Sequence, residues 1–138
     1  MKKLIRVSMS YMIIGLFFGI YYRELTKWYD FTGKTQLSTL HTHTLVLGMF
    51  FFLIVLLLEN NFQIMQHKWY KRFYITYNIG LGITLLLMLI HGTMTVMGMD
   101  SSAAISGIAG LGHIIMTIGL GFFFAVLFGS IKEEQHAS

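Results

Sequence analysis

The sequence predicts an all-α integral membrane protein, a bundle of four transmembrane helices with both termini in the cytoplasm. Three observations predict it. The 138 residues are 55% hydrophobic and only 12% charged. The apolar residues gather into four runs, about 4–22, 37–58, 73–97 and 103–131, each long enough for the roughly 20-residue requirement of a membrane-crossing helix. The basic residues are unevenly divided: with the N-terminus inside, Lys2, Lys3, Arg6, Lys68, Lys71, Arg72 and Lys132 fall on the cytoplasmic side and Arg23, Lys27 and Lys34 outside. That is the positive-inside asymmetry. It accounts for the net charge of +4 without nucleic acid as a partner. Residues 1–138 read as a single membrane domain, of the kind found in a bacterial inner membrane, with the lipid bilayer as its first partner.

The first run has the basic start of a signal peptide, but it is longer than an h-region. It ends in YYRELTKWY with no small-residue cleavage site, so a retained helix is expected. Gly15 and Gly19 permit close helix approach, the small-xxx-small device, within this chain or across a homodimer. Trp28, Tyr29, Trp69 and Tyr70 flank the runs as interfacial aromatics do.

The second run opens on HTHTLVLGMFFF. At about 100° per residue on a regular helix, His41 shares a stripe with Thr44, Gly48, Val55 and Glu59. His43 points about 200° away, among Val46, Leu47, Phe50 and Ile54. Two such histidines cannot bind one ion together on a regular helix. The small-residue stripe favours His41 for the bundle interior, and the bulky stripe suits lipid or the flat face of a large apolar cofactor. On the third run His91 aligns with Tyr77, Gly80, Thr84, Thr95 and Gly98. On the fourth His113 aligns with Ser102, Ser106, Ala109, Gly110 and Thr117. Small and hydroxyl neighbours mark faces turned toward other helices.

These four histidines carry the functional expectation. A charged group at the bilayer centre costs roughly 2.5–3.5 kcal/mol on insertion scales, so an ionisable residue there points to a site by default. All four fall in the outer half, with His91 roughly 10 Å and His113 roughly 15 Å below the outer ends of their helices at 1.5 Å per residue. His67 and His136 read as solvated. An offset of 72 superposes His41 and its Phe50-Phe51-Phe52 triplet on His113 and Phe122-Phe123-Phe124. A two-plus-two helix repeat is one reading of that match, and chance in apolar sequence is the other.

Absence of cysteine excludes disulfides, c-type haem, iron–sulfur clusters and thiolate zinc. Two imidazoles at like depth on different helices suit haem b, with His41 and His113 as the leading pair and His43 and His91 as alternates. The His41 segment resembles the outer-side histidine helix of haem–copper oxidase and nitric-oxide reductase catalytic subunits, and the H-x-H helices of their smaller relatives. The whole chain looks like a family of small four-helix bacterial membrane proteins whose function is uncharacterised. That resemblance implies His41 as the haem-ligand position, with His43 as a competing register. The chain lacks the paired His-His of a copper helix and has too few helices for the larger subunit, so a complete reducing centre in one chain is not expected. A copper site is the alternative: Met94, Met97 and Met99 lie near His91, and thioethers suit Cu(I). His41, His43, His91 and His113 are candidate metal ligands in either reading. A third reading is an accessory subunit of a larger membrane redox complex, its histidines bonded across helices.

Overall fold

The computed structural model describes residues 1–100 and 103–137, with side chains for all of these except 103–106, 109 and 133–137. Ser102 lies outside the described residues, as do the side chains of Ser106, Ala109 and His136. The elements are α1 (Lys2–Trp28), α2 (Leu37–His43), a π-helical segment (Thr44–Phe50), α3 (Phe51–Phe62), a short 3-10 turn (Ile64–Gln66), α4 (Tyr70–Val96) and α5 (Ala103–Ala137). The second to fourth of these run on without a break as one span, Leu37–Phe62. Four helices are long and apolar enough to cross a membrane, as the sequence predicts: Lys2–Trp28, Leu37–Phe62, Tyr70–Val96 and Gly110–Lys132 within α5. No strand occurs among the described residues.

Helix ends follow local chemistry. α1 runs past the expected end at 22 because RELTKW holds neither Gly nor Pro. It stops where Asp30 turns left-handed at φ 47°, a conformation Asp tolerates better than most residues. There the Phe31 N–H returns to the Thr26 carbonyl at 2.9 Å. The second span ends at Gln63, also left-handed, whose N–H donates to the Glu59 carbonyl at 3.0 Å. The Glu59 carboxylate then accepts the Met65 N–H at 2.7 Å and fixes the turn that follows. Gly98, at φ +70°, closes α4, with the Met99 N–H on the Met94 carbonyl.

Two antiparallel hairpins result. In the first, α1 packs along the second span. A Cβ on Gly15 would meet Leu45 and Thr44, and one on Gly19 would meet His41. The small-xxx-small stripe is therefore spent inside the chain. In the second, α4 and α5 approach until backbones touch: a Cβ on Gly119 would lie 2.8 Å from the Tyr77 Cα, and Gly80 faces the Met116 backbone. α4 joins the hairpins. Leu37 fills the space over Gly92, the Thr35 hydroxyl donates to the Gly92 carbonyl at 2.8 Å, and Tyr11 donates to the Asn78 Oδ1 at 2.9 Å. A cluster of Phe51, Phe52, Phe73, Tyr77 and Phe123 fills the centre, with ring centroids 4.3–6.1 Å apart.

The hairpin registers differ. Gly19 faces His41, and the offset of 72 carries that pair to His91 and His113. Gly112 instead packs on Ile83 and Thr84, which sets His113 on the order of 10 Å from the level of His91 along α4.

Because Gly80 meets backbone rather than a movable side chain, Gly80→Val should lower the thermal stability of the detergent-solubilised protein by about 1–3 kcal/mol, the usual cost of overpacking. Gly82→Ala, whose Cβ meets nothing within 4 Å, should not lower the melting point and should raise it slightly, because alanine is the better helix former.

Candidate functional site

The four intramembrane histidines occupy three different settings. His41 packs on Gly19 of α1, and its Nδ1 is buried without a hydrogen-bond partner among the described residues. Its Nε2 lies 3.3 Å from the Thr42 hydroxyl. His113 is on an exposed flank of α5, beside the Gly112 contact with α4. His91 is half-buried near the end of α4, and His43 is half-buried on α2.

His43 is held by a hydrogen bond to its own helix. Its Nδ1 lies 3.0 Å from the Thr39 carbonyl, one helical turn back. A carbonyl oxygen only accepts, so Nδ1 carries the proton and donates. The neutral ring then presents Nε2 as a bare lone pair, which is how ligand histidines are commonly fixed. Thr39, His43, Leu47 and Phe51 follow one another at intervals of four along the span. At its two ends this row faces α4 and α5: Thr39 shares a cleft with His91, and Phe51 stacks on Tyr77 and meets Phe123 of α5 edge-on at 5.3 Å.

A feature hidden from the sequence sets this arrangement. From Thr44 to Phe50 the span is π-helical, a widened turn that often sits at functional sites. Among the residues that regular helical geometry assigned after His43, Leu47 is the one that departs. Val46, Phe50 and Ile54 are exposed as a lipid-facing stripe would be, but Leu47 is half-buried within the bundle. Two donors from outside hold the wide turn. The Tyr77 hydroxyl donates to the Leu47 carbonyl at 2.8 Å, and the Ser8 hydroxyl to the Met49 carbonyl at 2.9 Å.

Where α2 begins and α4 ends, the two helices part around an open cleft of about 700 Å³. Lys34, Thr35, Gln36, Ser38 and Thr39 line one wall, and His91 and Thr95 the other. Along the bundle below this cleft, α5 packs on α4, and among the described residues it meets the second span at α3. The stretch of α2 that carries His43 packs on α1 and α4.

Residues 1–130 match the family described as "Protein of unknown function (DUF2871)". The chain belongs to this family. The family match takes in the first three spans whole and the fourth as far as residue 130, so His41, His43, His91 and His113 all fall within it. No curated protein and no solved structure matches the chain.

Among the described residues no three His, Asp or Glu side chains gather as a metal-binding group. Met97 and Met99 are exposed past the end of α4, with Met94 half-buried one turn back. His67 departs from the expectation of a solvated loop residue: its Nδ1 accepts the Trp69 N–H at 3.3 Å, and its ring packs on Gly129 of α5. Tyr77 and Ser8 are the residues that sequence reasoning missed, because nothing in an apolar run announces a partner for a π-turn carbonyl.

Tyr77→Phe keeps the aromatic packing and removes the donor to Leu47. It should cost about 1–3 kcal/mol, the penalty for stranding a buried acceptor, measured as a fall in unfolding midpoint. Ser8→Ala, at the second π-turn carbonyl, should act in the same direction.

Proposed function

We propose that the protein is a haem b-binding protein of the bacterial cytoplasmic membrane, with its histidine site in the outer half of the bilayer and both termini inside. The hydrogen bond from His43 Nδ1 to the Thr39 carbonyl carries this reading. It fixes the tautomer and aim that an axial ligand needs. The expected pair His41–His113 is revised to His43–His113. His41 is turned onto α1, whereas His43 lies on the row that faces α4 and α5.

Depth supports the pairing. The contact of Leu37 with Gly92 in antiparallel register brings His43 level with the middle of α4, within about one turn of the Ile83–Thr84 level where His113 sits. On this reading His43 of α2 and His113 of α5 would supply one imidazole each at like height, with His91 nearer the end of α4. A bound haem would supply an iron whose potential is set by its axial ligands and burial, for electron transfer, haem handling or binding of a diatomic gas. The chain's own part would be to hold two imidazoles, orient one through Thr39, and keep water out of the bundle below them with Leu47, Phe51 and Phe123. The orientation rests on the seven basic residues at the end that holds the N-terminus. Lys3 over the Tyr74 ring and Arg72 over the Trp69 ring, at 4.2 and 4.5 Å, suit that end to a membrane surface.

The purified protein should show a Soret band, either as isolated or after haem addition. His43→Ala and His113→Ala should each abolish or shift it, and His41→Ala should retain it. A wild-type protein that stays colourless and takes up no haem overturns the reading. Metal analysis of the same sample then separates copper binding from a purely structural role.

A further inference from the structure

The cleft between the start of α2 and the end of α4 has a donor–acceptor pattern that selects a ligand independently of the haem reading. Three of its hydroxyls have already committed their hydrogens to backbone carbonyls. Ser38 donates to Thr35 at 2.8 Å, Thr39 to Gln36 at 3.2 Å and Thr95 to His91 at 2.9 Å. A hydroxyl has a single hydrogen, so each of these oxygens offers the cleft only lone pairs. The donors left are the Lys34 ammonium, the Gln36 amide and the His91 ring. Among the described residues these three side chains have no hydrogen-bond or ion-pair partner. Among the described residues no carboxylate lines the cleft, and the fixed charge there is the positive charge of Lys34.

A bare anion would satisfy Lys34 and still face the lone pairs of Ser38, Thr39 and Thr95. A neutral polyol would satisfy the hydroxyls and waste the charge. A ligand with one anionic group and its own O–H donors meets both demands. The cleft opens where Leu37 begins one span and Val96 ends the next, the depth at which phospholipid headgroups lie. We propose that this cleft binds a hydroxyl-bearing phosphate ester of the glycerol phosphate type, as a free ester or as the headgroup of an anionic phospholipid. Lys34 and Gln36 take the phosphate oxygens, and Thr39 and Thr95 accept from the ester's hydroxyls.

The test is calorimetric titration of the intact protein in phosphatidylcholine nanodiscs, with sn-glycerol 3-phosphate and sulfate as probes. Glycerol phosphate should bind, and more tightly than sulfate, which has no donors. Lys34→Gln should weaken it by about tenfold or more, the effect of losing a hydrogen bond to a charged group. Thr39→Val removes one acceptor with little change in shape and should narrow the preference over sulfate. Both substitutions lie at the surface of the fold, and an unchanged circular dichroism melt verifies folding. In discs that contain phosphatidylglycerol, loss of soluble-ester binding identifies the lipid headgroup as the occupant, whereas unchanged binding identifies the free ester. Absence of glycerol phosphate binding in phosphatidylcholine discs, sulfate binding equally well, or indifference to Lys34→Gln each overturns the proposal. The Soret measurements on the histidine variants stand apart from all of these outcomes.

Discussion

The structure turns on Tyr77. Its side chain is 1% exposed, its ring stacks on Phe51 at 4.3 Å, its backbone is the surface on which Gly119 of α5 rests, and its hydroxyl ends on the Leu47 carbonyl. In lipid a backbone carbonyl without a partner is costly, because no water is present to take its place. A π-turn disturbs the regular i→i−4 ladder, so it persists only where something else satisfies the disturbed groups. Tyr77 from α4 and Ser8 from α1 do this from opposite sides. The wide turn is thus a product of three helices rather than of the segment that adopts it.

That dependence passes directly to the histidines. His43 is the last residue before the π-helical segment, and His41 stands two before it. Regular winding would set His43 on a bulky stripe with Val46, Phe50 and Ile54, which are exposed. The widened turn instead keeps Leu47 within the bundle and Phe51 at its centre, in the row that begins at Thr39. The same row brings the carbonyl that aims His43 to the wall of the cleft. Helix packing in a membrane lacks the hydrophobic drive of a soluble core and relies on close approach and polar contacts. This chain shows both, in the glycines of the α4–α5 contact and in the Tyr11–Asn78, Tyr21–Thr93 and Thr35–Gly92 hydrogen bonds.

Much of this was legible in the linear pattern. The four spans follow from run length, and the burial of Gly15, Thr44, Gly48 and Val55 follows from stripes of small or β-branched residues. The burial of Tyr77, Gly80 and Thr84 on α4 was likewise visible beside His91. What could not be read was the partner of each face. The Gly15–Gly19 stripe suits a contact between copies as well as one within the chain, and only the fold shows it covered by Leu45 and His41. The two Phe triplets suggest equivalent hairpins, yet Phe51 and Phe123 meet while the registers around them differ, because glycines at 80, 112 and 119 let α5 slide to its own closest approach.

The sequence by itself determined that this is an all-α chain with four membrane-length helices and costly histidines within its apolar runs. Those properties depend on composition and run length, which are local. Only the tertiary structure decided which helix each face packs on, and where the second span widens. The π-turn after His43 has carbonyls satisfied by a tyrosine 30 residues away and a serine 41 residues away, and no local pattern encodes a bond across that distance.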